Sequence, residues 1–209
     1  MKIFGVGMNY LQHTEELDGH SYRPQEPVIF LKADSALLKS GKPFFVPDWC
    51  ERVDYEAELV VRICRLGKGI PVRFAHRYWD AVTVGIDFTA RDLQQKVRHE
   101  GLPWTICKGF DGSAAIGDFM PLDALPSPVS FHLDLNGKTV QQGCSSDMLF
   151  SVDEIISYLS RFFTLRTGDL IFTGTPVGIG PVKPSDHLQG YLDGTMNGDG
   201  DCVLDFFCR

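Results

Sequence analysis

Long hydrophobic runs are missing from this chain of 209 residues. No stretch approaches the about 18–20 apolar residues that a membrane-spanning helix requires. The first ten residues contain one Lys and reach polar residues too soon for a signal peptide. Hydrophobic residues make up 44% of the chain and charged residues 22%, which excludes a disordered protein. We therefore predict a globular, cytoplasmic protein with no membrane partner.

Positive charge is also scarce. The chain has 20 Lys and Arg against 27 Asp and Glu, giving a net charge of −7 at pH 7. Nucleic-acid binding requires clustered Lys and Arg, so we expect no nucleic-acid partner. An anionic small molecule would need a locally positive site, built from a metal ion or a few placed cations.

Familiar motifs are absent as well. The six Cys residues include no CxxC pair, and Walker A, HExxH, GxSxG and EF-hand patterns are missing. The glycine-rich loop 174–180 is no dinucleotide fingerprint, because Pro181 and Pro184 follow where a helix should begin. Its backbone amides are suited to holding an anion.

The length fits one domain over residues 1–209. Strands outnumber helices and do not alternate regularly with them, which favours a mixed α+β, mostly antiparallel β architecture over a doubly wound sheet. Asn136-Gly137 predicts a type I′ hairpin turn, and Ser151 with Glu154 a capping box. The predicted strands cover residues 3–7, 27–32, 54–64, 81–88, 129–135, 138–142, 170–173, 187–192 and 202–207, and the predicted helices 72–80, 91–99 and 151–163.

Three carboxylates form the main candidate site. Glu56 and Glu58 stand two apart on a strand, so they project from one face, and Asp87 ends a strongly apolar strand. A solvated strand face explains the glutamates equally well. A buried carboxylate at position 87, however, would need a partner or a metal ion. Without His or Cys partners, the set favours a hard cation, Mg²⁺, Mn²⁺ or Ca²⁺.

A second candidate is a pair three residues apart in a helix-compatible segment, His13 and Glu16. Such a carboxylate can orient an imidazole as a water-activating base, although an incidental surface pair looks the same. Arg91 and Lys108 are cations that could meet a carboxylate of the ligand, or form ordinary ion pairs.

The order of these motifs resembles the fumarylacetoacetate hydrolase family. The resemblance rests on Glu-x-Glu at Glu56, GIDFTARDLQ, KGFDGS and GTPVGIG, and runs from about residue 6 to 192. NY-x-x-H-x-x-E and GLPWT are similar to the small members that act as acylpyruvate hydrolases and oxaloacetate decarboxylases. Met8 departs from the pattern, since many relatives have Arg there.

The resemblance implies a β-roll of the family's C-terminal-domain type, a homodimer, and Mg²⁺ or Mn²⁺ on the three carboxylates. It implies a lid over residues 9–20 that carries His13 and Glu16. It also implies that the substrate is contacted by Arg91, Gln94, Lys108, Thr175 and Lys32.

The resulting hypothesis is metal-dependent cleavage of a C–C bond in a 2,4-dioxo acid of the acylpyruvate or fumarylpyruvate type. A metal-stabilised pyruvate enolate would form, with His13, Glu16 and Lys108 as catalytic residues. Oxaloacetate decarboxylation would use the same site. The alternatives are a 2-hydroxyhepta-2,4-diene-1,7-dioate isomerase, an oxaloacetate tautomerase, and a metabolite-binding protein without catalysis.

Overall fold

Strands dominate the computed structural model, which describes residues 1–11, 23–39, 41–194 and 200–209. In that part the strands are β1 (Ile3–Gly7), β2 (Val28–Lys32), β3 (Leu37–Lys39), β4 (Val53–Tyr55), β5 (Ala57–Ile63), β6 (Trp79–Asp87), β7 (Thr89–Ala90), β8 (Ala114–Ile116), β9 (Met120–Pro121), β10 (Ser130–Leu135), β11 (Lys138–Cys144), β12 (Leu170–Phe172), β13 (Gly180–Pro181), β14 (His187–Leu192) and β15 (Asp201–Phe207). The α-helices there are α1 (Val72–Ala75), α2 (Arg91–Glu100), α3 (Thr105–Lys108) and α4 (Val152–Phe162).

These strands form three sheets within the described residues. The largest has the order β2-β1-β12-β5-β6-β8-β3, with β9 paired to β6. A second has the order β11-β10-β14-β15, and a third joins β13, β4 and β7. β1 pairs with β12, and β3 with β8, in parallel, whereas the other pairs are antiparallel. The predicted mixed, mostly β class is confirmed.

The β5–β6 pair divides the interior into two faces. Leu59 lies opposite Val84, and these residues join the main core, against which α4 packs Ile155 and Leu159. Glu58 lies opposite Gly85, one residue out of phase, and so projects from the other face. A smaller apolar cluster lies on that side: Ile3, Ala36, Val60, Ala114, Ile116, Leu170 and Phe172.

Local signals define several elements as expected. Asn136 and Gly137 have φ of 55° and 76°, as a type I′ turn requires, and Ser151 and Glu154 form both bonds of the capping box. The predicted helix 72–80 is too long: α1 ends at Ala75, because Trp79 pairs with Ile63 and begins β6. β3, β8 and α3 were not predicted. None of the described helices is long and apolar enough to cross a membrane.

Candidate functional site

The structure brings the three predicted carboxylates together. Glu56 occupies the break between β4 and β5, Glu58 is the second residue of β5, and Asp87 ends β6. The backbone N–H of Asp87 donates to the carbonyl of Glu56 at 2.8 Å, which holds the end of β6 beside the start of β5. One carboxylate oxygen from each residue lies within 4.8 Å of the others, and all three residues are at most 4% exposed.

Two buried lysines approach these carboxylates. Lys108 Nζ donates to Glu56 Oε2 at 2.6 Å, to Asp87 Oδ2 at 2.7 Å and to Thr89 Oγ1 at 2.6 Å. An ammonium group has three hydrogens, so these acceptors use all of them. Lys32 Nζ lies 2.6 Å from Asp87 Oδ1 and donates to the carbonyl of Ser113. Both lysines therefore belong to the acidic cluster.

Arg91 and Gln94 lie one helical turn apart at the start of α2, where they hydrogen-bond to each other. Arg91 Nη2 also donates to Glu56 Oε1 at 2.6 Å, and its Nε donates to Asp54 Oδ2 at 2.8 Å. Asp54 is fully buried and was missed by the sequence analysis. The signal was present, because Asp54, Glu56 and Glu58 continue one period-two pattern.

The loop after β12 holds the backbone between the two glutamates. Thr175 Oγ1 donates to the carbonyl of Ala57 at 2.8 Å, and the backbone N–H of Gly174 donates to Glu58 Oε2 at 2.6 Å. Gln141 accepts from the N–H of Ala57 at 2.9 Å and donates to Thr175 Oγ1 at 2.9 Å. Gln141, a buried residue of β11, was also missed, since nothing local in its sequence marks it.

Burial and mutual charge set the protonation preferences. Burial and the neighbouring Asp87 raise the pKa of Glu58 well above its usual value. Burial lowers the pKa of Lys32, whereas the charges of Asp87 and Glu56 outweigh burial and raise the pKa of Lys108. Carboxylates this close repel one another, and a divalent cation would relieve that repulsion.

The predicted His13–Glu16 pair and most of the predicted lid 9–20 lie outside the described residues. Asn9 and Tyr10, which precede the pair, hydrogen-bond to other described segments. Asn9 Nδ2 donates to the carbonyls of Thr173 at 2.7 Å and Phe150 at 3.1 Å, and Asn9 Oδ1 accepts from the N–H of Phe150 at 2.8 Å. The buried Tyr10 donates to the carbonyl of Cys144 at 3.3 Å.

This fold and this site define a β-rich enzyme with a buried acidic centre of a kind that could hold a divalent cation. The chain belongs to the fumarylacetoacetate hydrolase family, because its residues 2–201 match the family model for the fumarylacetoacetate (FAA) hydrolase C-terminal domain. Enzymes similar to this chain bear the names of hydrolases, isomerases and tautomerases.

Individual relatives differ in their named reactions. The mitochondrial oxaloacetate tautomerase FAHD1 of Mus musculus is 40% identical over 197 residues, covering 93% of this chain and 88% of the relative. The structure of fumarylpyruvate hydrolase from Pseudomonas aeruginosa with Mn²⁺ and pyruvate has a TM-score of 0.88 and 35% identity, covering 100% of this chain and 89% of its own. The 2-hydroxyhepta-2,4-diene-1,7-dioate isomerase from Mycobacterium marinum has a TM-score of 0.82 and 30% identity, covering 99% and 73%.

Proposed function

We propose that this chain uses a divalent cation to cleave a 2,4-dioxo acid into pyruvate and a carboxylic acid. The observation that carries the proposal is the buried triad of Glu56, Glu58 and Asp87, with its oxygens within 4.8 Å of one another. The similarity to a fumarylpyruvate hydrolase solved with Mn²⁺ and pyruvate supports it.

The residues present fit such a cation. All three candidate ligands offer carboxylate oxygens, the donors that Mg²⁺, Mn²⁺ and Ca²⁺ prefer. Asp87 Oδ1 is buried, and Lys32 Nζ lies 2.6 Å away. A carboxylate oxygen has two acceptor lone pairs, so one remains for a metal ion. We favour Mg²⁺ or Mn²⁺ as the physiological cation.

The charges of the site also favour an anionic substrate once the cation is bound. With all five groups ionised, the triad and the two lysines carry one net negative charge, which a divalent cation converts into one net positive charge. When bound, the cation would polarise the 2-oxo carbonyl and supply positive charge beside the developing enolate. Lys108 would exchange one of its present acceptors for a substrate oxygen, since its three hydrogens are already in use.

The remaining residues would position the substrate and move protons. Arg91, Gln94, Lys32 and Thr175, with the loop amides that follow, would bind the carboxylate end. His13, oriented by Glu16, would take a proton from the water whose oxygen adds to C4. The C3–C4 bond then breaks, its electron pair moves to C3, and a proton added at C3 completes pyruvate.

The test is pyruvate release from acetylpyruvate by metal-stripped protein, with and without Mg²⁺ or Mn²⁺. We expect release only with the cation, and its loss in Glu58→Gln. Glu26→Gln is the matched control, because Glu26 is an exposed glutamate that contacts Tyr158 and Arg161. Cation-independent release, or equal activity of Glu58→Gln, would refute the proposed metal site.

Oxaloacetate tautomerisation is the second candidate. The 40% identical mouse relative bears that name, and enolisation needs no attacking water. His13→Ala should then abolish acetylpyruvate cleavage and spare more of the tautomerisation or decarboxylation of oxaloacetate. Proton NMR separates the reactions, because hydrolysis yields a new carboxylic acid whereas tautomerisation and isomerisation leave the formula unchanged.

A homodimer and a cytoplasmic location stay predictions for this chain. Gel filtration with light scattering tests the first. The mouse relative is named as mitochondrial, so localisation has to be measured in the source cell.

A further inference from the structure

Strand β2 presents three side chains to the face of the sheet that carries the acidic triad. Val28, Phe30 and Lys32 alternate along the strand and so share one face. Lys32 identifies that face, because its Nζ lies 2.6 Å from Asp87 Oδ1. The half-buried ring of Phe30 therefore stands beside the acidic centre rather than in the main core.

The neighbouring strand β1 leaves room for this ring. Gly5 lies opposite Phe30 in the register, and a Cβ at Gly5 would lie 2.2 Å from Phe30 Cζ. A Cβ at Gly7 would lie 3.1 Å from Cζ3 of Trp104. The rings of Phe30 and Trp104 are 5.7 Å apart and tilted by 51°. Two glycines thus form a floor without side chains, on which two aromatic rings lie.

This aromatic pair is close to the residues proposed for chemistry. Lys108 Nζ lies 5.4 Å from the centroid of the Phe30 ring and 2.6 Å from Glu56 Oε2. The aromatic pair is therefore within reach of the far end of a substrate held at the acidic centre. Both rings are partly exposed, so a ligand could still bury part of them.

The charges around the aromatic pair disfavour a second carboxylate on the substrate. The buried cations of the described part are Lys32, Lys108 and Arg91; each contacts a carboxylate of the protein, and the proposed function assigns all three to the 2-oxo-acid end of the substrate, so none of them is left for a second carboxylate. The face of an aromatic ring carries partial negative charge and repels an anion, and a desolvated carboxylate is costly without a partner. An alkyl or aryl group instead gains from burial there.

We propose that Phe30 and Trp104 form an acyl subsite that binds an uncharged, apolar acyl group of the substrate. The inference rests on the proposed function and deepens it. Of the 2,4-dioxo acids, it selects alkanoyl- and aroylpyruvates over dioates such as fumarylpyruvate.

Two ligands of equal length test the subsite without requiring turnover. We would titrate the Mn²⁺-loaded protein with 2-oxohexanoate, which ends in a methyl group, and with 2-oxoadipate, which ends in a carboxylate. Burial of the terminal methyl group is worth about fourfold in affinity, and desolvating a terminal carboxylate without a partner costs more, so we expect 2-oxohexanoate to bind at least about tenfold more tightly. Equal binding, or tighter binding of 2-oxoadipate, would overturn the subsite.

Variants then assign the effect to the aromatic pair. Trp104→Ala should weaken 2-oxohexanoate about tenfold and change 2-oxoadipate less than about twofold. Trp49→Ala is the matched control, because this 52% exposed indole packs against Phe110. If Trp104→Ala does not fold, the affinities of the unaltered protein for the two ligands still test whether the subsite prefers an apolar group.

The outcomes separate the two proposals. Discrimination between the ligands without pyruvate release from any acylpyruvate would refute the hydrolase and support the subsite. Pyruvate release without discrimination would support the hydrolase and overturn the subsite. Binding of neither ligand would overturn the subsite, whereas pyruvate release alone decides on the hydrolase.

Discussion

Asp54 shows how a residue that is not itself a candidate metal ligand can organise this site. Its carboxylate joins the exposed Arg52, at 2.6 Å, to the buried Arg91, at 2.8 Å. The guanidinium of Arg91, held by Asp54, in turn contacts the carboxylate of Glu56 at 2.6 Å and so orients it. Replacing a group that orients a metal ligand commonly costs about 10–100-fold in metal affinity.

We predict that Asp54→Asn weakens Mn²⁺ binding about tenfold, because Arg91 and therefore Glu56 lose their orientation. Removing one partner of a buried ion pair should also lower the free energy of unfolding by about 3 kcal/mol. Calorimetric titration with Mn²⁺ and urea unfolding measure the two effects.

The control for this variant is Asp169→Asn. Asp169 is equally buried and pairs with Lys2, at 2.5 Å, rather than with any residue of the site. It should lower stability and leave Mn²⁺ affinity unchanged. Equal affinity losses in both variants would mean that general destabilisation, and not the link through Arg91, weakens the metal site.

The cysteine thiols give a second prediction about individual residues. Partial burial raises the pKa of Cys144, but hydrogen bonds from Ser146 and Ser130 outweigh it and lower the pKa below its usual value. Burial raises the pKa of Cys107 to about 11, and burial with the charge of Asp205 raises that of Cys202. The thiolate is the reactive form, so a lowered pKa means faster alkylation near neutral pH.

We therefore expect iodoacetamide at pH 7.5 to label Cys144 before Cys202, although Cys202 is the more exposed of the two. Mass spectrometry of peptides after timed quenching measures the rates. The advantage of Cys144 should shrink as the pH rises and Cys202 ionises. Faster labelling of Cys202 would show that exposure, and not ionisation, controls reactivity.

At the scale of the elements, the ends of three segments meet at Asn9. Its amide bonds to Thr173, just after β12, and to Phe150, just before α4, while Asn9 itself follows β1. Gly174 approaches it so closely that an added Cβ would lie 2.7 Å from Asn9 Cβ. This junction positions the loop that supplies Gly174 and Thr175 to the acidic centre.

We predict that Asn9→Ala lowers the free energy of unfolding by about 3 kcal/mol, because three hydrogen bonds of about 1 kcal/mol each are lost. Urea unfolding followed by tryptophan fluorescence measures this change. Gln142→Ala is the control, since Gln142 carries an exposed side-chain amide on β11, away from the junction. A loss below about 1 kcal/mol in Asn9→Ala would mean that the junction is held by other contacts.

Some elements can be predicted from local sequence alone. β14 was predicted with its observed bounds, and the Asn136-Gly137 turn and the α4 capping box were predicted correctly, because neighbouring residues decide each of them. The contacts of Lys32 and Gln141 could not be predicted, since their partners lie far along the chain. No local pattern encodes the parallel pairing of β1 with β12.

For the whole molecule, the acidic centre links metal binding to stability. The chain carries a net charge of −7, and three of its carboxylates are buried within reach of one another. A cation that binds only the folded state stabilises it by mass action, by about 2.7 kcal/mol at a hundredfold excess over Kd.

We predict that saturating Mn²⁺ raises the Tm by about 5–10 °C and that EDTA reverses the shift. Differential scanning calorimetry measures it. Glu56→Gln/Glu58→Gln should show no shift with Mn²⁺, whereas Glu26→Gln should behave as the unaltered protein. An equal shift in the double variant would place the cation elsewhere.

The position of β1 has a consequence for how the chain folds. β1 lies inside the largest sheet, between β2 and β12, so one side of the first strand is completed only by residues 170–172. Such long-range pairing slows folding, and until it forms β1 presents a free strand edge that invites association with other chains. A nascent chain emerging from the ribosome can therefore pair β1 with β2 early, but the other side of β1 stays unpaired until residues 170–172 have been synthesised.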